Sequence, residues 1–239
     1  MALQRSDHLV SLRSRWLLVP SFGFFAVVCI GLGIWQVNRL KQRRAENRIA
    51  LAARAAPPVN ISAAPALDTT LIGRRVRGVG HYDHTNDIVL RGRVYNGSPG
   101  VEIVTPLVLE GGRRAVLVNR GFMPTPDAVT VQTDSVREFG TVQVEGTALL
   151  LTSGGGEPLG QPHRLTWSRL DLKALAARMP YDIAPIYIRQ SPNPSLPIFP
   201  RRLEPLPIDD GPHLSYAIQW FSFATMAIVF GAVMWRKAA

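Results

Sequence analysis

The sequence predicts an α+β membrane protein in which two transmembrane helices flank a β-rich, antiparallel barrel- or sandwich-like domain with one packed helix. Three observations predict it. Residues 16–35 (WLLVPSFGFFAVVCIGLGIW) and 213–235 (HLSYAIQWFSFATMAIVFGAVMW) carry no Asp, Glu, Lys or Arg, and each is long enough for a hydrocarbon core of about 30 Å. Trp16 and Trp35 bracket the first run, while Tyr216, Trp220 and Trp235 sit toward the ends of the second, as in headgroup belts. Between the two runs, short alternating segments are broken by Gly, Asn and Pro, the pattern of strands and turns.

Residues 1–15 read as a cytoplasmic tail, with Arg5, Arg13 and Arg15 ahead of the first span. That span is longer than the apolar stretch of a signal peptide and lacks a small-x-small site close behind it, so a retained anchor is expected. Asp7 in the short tail argues against a mitochondrial transit peptide. Residues 36–68 read as a helix extension and linker. Val37, Leu40, Ile49 and Ala52 recur at roughly helical spacing among Arg39, Lys41, Arg43, Arg44, Arg48 and Arg54. A helix emerging from the bilayer into anionic headgroups accounts for those cations, and nucleic acid is not an expected partner.

Residues 69–191 form the central domain, an extracytoplasmic one by the charge argument below. Strand-like runs cover residues 75–82, 87–95, 101–109, 114–119, 141–151 and 185–190, with Asn96-Gly97 and Glu110-Gly111-Gly112 as hairpin turns. Residues 170–179 space Leu172, Leu175, Ala176 and Met179 as a helix does. Residues 192–212 (from PNPSLPIFPRRLEPLP) are too rich in proline for a helix or central strand. They read as an extended return to the second span at residues 213–235, after which 236–239 form a second cytoplasmic tail. Ala227 and Gly231 make a small-xxx-small pair, with Gly31 and Gly33 as candidates for close approach on the first span.

The formal net charge is +10, from 27 Lys+Arg against 17 Asp+Glu. Its distribution points two ways. The basic run after the first span favours a cytoplasmic position for that end, whereas Asp209 and Asp210 before the second span and Arg236 and Lys237 after it favour the reverse. Long loops translocate largely regardless of charge, so the short basic tails place the termini inside and the domain outside. The lone cysteine, Cys29, excludes an intrachain disulfide and a paired-thiolate metal site. No phosphate-binding glycine loop and no nucleophile elbow occur, so no enzymatic activity is expected.

His213 stands at the mouth of the second span with Tyr216 and Trp220 three and seven residues on, sharing one helical face. Two readings stay open from the residues: a helix-end histidine among belt aromatics, or a functional imidazole. His81-Tyr82-Asp83-His84 has metal-ligand residue types, but positions three apart on a strand face opposite ways, so a strand end and its turn is expected. His8 and His163 read as surface residues.

Five motifs carry a resemblance. They are Gly33-Ile34-Trp35-Gln36 with Arg39 and Lys41; Arg77-Gly78 through Gly80-His81-Tyr82-Asp83; and Gly100 through Val104-Thr105-Pro106-Leu107. Then come Leu117-Val118-Asn119-Arg120-Gly121-Phe122 with Pro124, and His213-Leu214-x-Tyr216-Ala217-x-x-Trp220-Phe221. In this order, between two spans, they resemble the surfeit-locus-one family of cytochrome c oxidase assembly factors. Pro212 departs from the Asn common before the histidine, Met123 from a branched apolar residue, and residues 154–163 match poorly.

The resemblance implies an integral protein of the bacterial inner membrane with its domain in the periplasm. It implies a role in oxidase maturation through binding haem a and passing it to subunit I, with a haem a synthase as a candidate second partner and membrane lipids around the spans. On that reading His213 is the ligand of the haem iron, since imidazole suits iron, and Tyr216 and Trp220 wall the macrocycle. Trp35 would add a second wall if the spans touch. Arg120 has two readings, a haem propionate or a structural partner such as Asp83 or Glu102. The competing reading of the whole chain is a cofactor-free scaffold that holds oxidase subunits during assembly.

Overall fold

Alternating apolar residues in the middle of the chain pair into a sheet that closes on itself in the computed structural model of the protein. The structure describes residues 6–62, 67–110, 114–154, 158–160, 166–205 and 207–238, with side chains between residues 19 and 236. The tail residues 1–5, the tip of the Glu110-Gly111-Gly112 turn, His163 and the side chains of His8 and Trp16 therefore lie outside the described residues. Two compact units result, one from residues up to Ile49 with those from Ile208, the other from Ala50–Pro207.

In the second unit the described strands are β1 (Val59–Asn60), β2 (Arg75–Tyr82), β3 (Ile88–Tyr95), β4 (Ser98–Leu109), β5 (Arg114–Pro124), β6 (Thr141–Leu150), β7 (Pro158–Leu159), β8 (Thr166–Trp167) and β9 (Asp182–Gln190). The ring runs β2-β6-β9-β5-β4 and returns to β2. Closure depends on the length of β4. Its first part pairs with β3, and Leu107–Leu109 pair with Gly80–Tyr82 of β2 along the same edge. Closing the ring removes exposed edges, which otherwise invite aggregation.

The expected barrel is thus present, and one of its seams is parallel, β5 against β9. The chain reaches β9 through a crossover that includes helix α2 (Leu172–Ala176), which a parallel pair needs. Asn96 and Gly97 both take positive φ, 48° and 79°, in the β3–β4 hairpin, as a two-residue type I′ turn requires.

Two apolar layers follow from strand alternation. Val76, Leu107, Val116, Val118, Val144, Ile186 and Ile188 fill the barrel. Ile88, Leu90, Val104, Leu117 and Trp167 lie on the outside of the sheet, where Leu175 of α2 covers them. Because β5 is covered on both sides, its residues 115–122 are all buried. This strand extends beyond the 114–119 run read from sequence, and α2 is shorter than the 170–179 pattern. The two-residue strands β1, β7 and β8 are too short to show alternation in sequence.

The proline-rich return is pinned to the barrel. Arg201 and Phe122 exchange backbone bonds of 2.8 and 2.9 Å. A Cβ on Gly121 would come within 2.2 Å of the Arg201 carbonyl oxygen, and its φ is +121°, so this approach requires glycine.

In the first unit, α1 (Ser6–Ala55) and α3 (His213–Ala238) pack antiparallel. Phe22 stacks with Phe230 at 6.5 Å, Gly33 leaves room for the Phe221 ring, and Gln36 meets His213. Ala26, Cys29, Ala217, Ala224 and Ala227 are buried in this contact. Gly231 touches Phe22, whereas Gly31 faces open space, so only Gly33 of the expected pair provides close approach. Phe24, Val27, Ile34, Ile218, Val229 and Phe230 stay exposed. Val19–Ala55 and His213–Arg236 are long and apolar enough to cross a membrane, and outward apolar side chains are what a bilayer covers.

Candidate functional site

His213 is the first residue of α3. Pro212 before it offers a carbonyl to Tyr216 N at 3.1 Å and to Ser215 Oγ at 2.8 Å, closing the first turn. The chain enters this turn through a clasp onto α1. Arg44 Nε donates to Asp210 Oδ2 at 2.7 Å, and Asn47 Nδ2 donates to Asp209 O at 2.8 Å and to Asp210 Oδ1 at 3.1 Å. The hydrogen bond from Arg44, then that from Asn47, holds the Asp210 carboxyl below its ordinary range. An aspartate ahead of the helix also suits the positive end of its dipole.

Within this frame His213 Nδ1 lies 2.9 Å from Gln36 Oε1. Gln36 is 8% exposed, a polar side chain held in an otherwise apolar interface. In the neutral tautomer whose Nδ1–H donates to that oxygen, Nε2 keeps its lone pair, as in a histidine metal ligand with its other nitrogen fixed. Gly211 borders Nε2. A Cβ there would stand 3.6 Å from that nitrogen, and Gly211 has none. The hydrogen bond that Pro212 cannot offer thus comes from the other helix.

The other residues expected around His213 are placed less closely. Tyr216 is 45% exposed and Trp35 is 57% exposed. Trp220 packs edge-on against Phe223 at 5.9 Å. Among the described residues no ring pair joins any of the three to His213. Successive helix residues point about 100° apart, so when Gln36 turns to His213 its neighbour Trp35 turns away. Trp35 therefore lies on a different side of α1 from Gln36 and stays exposed. Gln36 appears in the sequence motif without a role. Its signal is a glutamine in a helix that leaves a membrane, where polar side chains are costly.

Arg120 belongs to the barrel. Its side chain is 0% exposed and pairs with Glu138 at 2.6 Å. It also donates to the Val136 carbonyl and lies over the Tyr82 ring at 5.0 Å from the centroid. Glu138 holds Arg202 as well, at 2.8 Å. The expected partners Asp83 and Glu102 are taken by others. Tyr181 Oη donates to Asp83, and Asn119 Nδ2 donates to Glu102. Alternation on β5 explains the miss: Asn119 faces Glu102, so Arg120 faces the other side. So enclosed, Arg120 presents no surface to a haem propionate, and the structure assigns it to the fold.

His81 Nδ1 bonds Gly140 O at 3.0 Å, while His84 lies 3.2 Å from Asp87 and bonds the Glu138 backbone. The two imidazoles serve separate contacts. Burial raises the Asp87 carboxyl despite a hydrogen bond from Thr105 and the neighbouring His84, and burial raises the Tyr82 phenol despite Arg120. Among the described residues no group of three metal-ligating side chains forms.

The sequence pattern of the SURF1 family matches residues 23–225, from the first span to the second. The chain belongs to the SURF1 family. Its relatives include a SURF1-like protein of Monosiga brevicollis, 27% identical over 227 residues, covering 88% of this chain and 85% of the relative. Surfeit locus protein 1 of Rattus norvegicus is 27% identical, with 87% of this chain and 71% of the relative covered. A SURF1-like protein of the bacterium Rickettsia felis is 25% identical, with 88% and 93% covered. With two candidate spans, this SURF1-family chain is a membrane protein.

Proposed function

We propose that this SURF1-family protein is a bacterial inner-membrane assembly factor for cytochrome c oxidase that binds haem a and assists its insertion into subunit I, catalysing no reaction itself. One observation carries the haem reading: the Gln36–His213 hydrogen bond at 2.9 Å, which commits Nδ1 and leaves Nε2 beside Gly211. The donor chemistry fits, because haem iron accepts a neutral imidazole nitrogen. Haem a, when bound, would supply an iron able to accept that nitrogen as a ligand. His213 would bind, Gln36 would orient it, and the apolar surface around Trp220 suits a hydrophobic macrocycle. A single protein ligand also suits a carrier that must release its cargo. The domain is proposed to face the periplasm, on the strength of the short basic tails at both ends.

The test is the absorption spectrum of the full chain, purified in detergent from cells that make haem a. A Soret band is expected in the wild type and its loss in His213→Ala. In Gln36→Leu the band is expected to persist with affinity lowered about 10–100-fold, the usual cost of losing a partner that orients a ligand. A folded, colourless wild type, or a Soret band unchanged by His213→Ala, would overturn the ligand assignment. Normal oxidase recruitment by a colourless protein would favour the scaffold instead.

A further inference from the structure

A second site lies on the barrel domain, independent of the haem reading. The outer apolar layer is covered by Trp167 and α2 over part of the sheet. Elsewhere on that face is a cavity of about 340 Å³ bordered by β3, β4, β5 and β9, within the range of small-molecule sites. Its lining is partitioned by chemistry. Leu90, Leu151 and Leu170 give it an apolar side, and among the described residues Arg93 and Arg189 line it with the carboxylate of Glu102.

Both guanidinium groups are only partly satisfied, although Arg93 Nη2 donates to Ser168 O at 3.0 Å. The Nε atoms of Arg93 and Arg189 are buried and have no hydrogen-bond partner among the described residues. Arg93 Nε is 3.8 Å from Glu102 Oε2, an ion pair too long for a hydrogen bond. Glu102 is already engaged by Asn119 Nδ2 at 2.8 Å. Buried donors are nearly always satisfied, and a buried donor left unpaired costs about 1–3 kcal/mol. The outer end of a guanidinium, beyond the buried Nε, can still present its terminal N–H groups to two oxygens of a carboxylate or phosphate. Tyr187 adds a phenol to the lining, and burial raises it above its ordinary pKa, so near neutral pH it remains an O–H donor.

We propose that this cavity binds a small amphipathic anion, its carboxylate or phosphate head held by Arg93 and Arg189 and its apolar body against the leucines. Glu102 competes for Arg93 and tunes the affinity.

Isothermal titration of the full chain in detergent tests this with 4-phenylbutyrate, phenyl phosphate and the neutral 4-phenylbutanol as probes. At least one anion is expected to bind tenfold or more tightly than the alcohol, and which one does identifies the head group. The Arg93→Gln/Arg189→Gln double variant is expected to lose that binding at least tenfold at an unchanged melting temperature. Glu102→Gln is expected to tighten it several-fold, which keeps the test decisive if the double variant fails to fold. Anions that bind no better than the alcohol, or a Glu102→Gln protein with unchanged or weaker anion binding, would overturn the proposal. None of these readouts involves haem or His213.

Discussion

Glu138 holds two buried cations at once, Arg120 at 2.6 Å and Arg202 at 2.8 Å. Arg202 also donates to Gln190 Oε1 at 3.0 Å and to the carbonyls of Pro197 and Pro200. One carboxylate therefore ties a barrel strand to the proline-rich return. Removing it leaves two guanidinium groups buried without their counter-charge, the costly way to break an ion pair. Glu138→Ala is expected to lower domain stability by about 3–5 kcal/mol, read as a shift in chemical denaturation of the purified chain. A loss below about 1 kcal/mol, the level of an exposed pair, would show that the charges escape to solvent. The Arg120 motif is plain in the sequence. Its partner is not, because Glu138 lies in a segment between strands that no alternation or spacing links to β5.

Strand pairing makes a second set of charges predictable once the register is known. Arg77 stands opposite Glu145 and Arg75 opposite Thr147 on β2 and β6, so both arginines reach the same carboxylate, Arg77 at 2.8 Å. Hydrogen bonds from Arg77 and then Arg75 hold the Glu145 carboxyl below its ordinary range. A carboxyl depressed in the folded state binds protons more readily when unfolded, so it adds stability above about pH 4.5 that is lost as pH falls through the folded value. Glu145→Gln is expected to flatten the decline of melting temperature below pH 4.5, and an unaltered slope would remove Glu145 from the acid response. Most strands were legible from alternation and the Asn96-Gly97 turn. Helix α2 was legible as a type, and its start is fixed by Asp171, which caps Ala174 N at 3.0 Å. Which edges meet to close the barrel was not legible, since β4 must serve two partners and alternation names none.

For the whole molecule, the SURF1 family and two outward-facing apolar helices together make a membrane protein, and the side on which the domain lies is a question of topology. Ser195 is exposed in the proline-rich return, and the one cysteine, Cys29, is fully buried. A Ser195→Cys variant is therefore expected to react with a membrane-impermeant maleimide in intact cells with a permeabilised outer membrane, while the wild type stays unlabelled. Reaction only after lysis would put the domain in the cytoplasm. The sequence by itself determined the two spans, the β-rich character between them, the family, and His213 as the residue to watch. Each of these is written in local composition or in ordered motifs along the chain. The tertiary structure alone decided that Gln36 rather than Trp35 meets His213, that Arg120 serves the fold, and that Arg93 and Arg189 converge on one cavity. Those are contacts between residues 16 to 177 positions apart, and helix packing angles and strand register, which create them, are set by the burial of whole faces rather than by neighbouring residues.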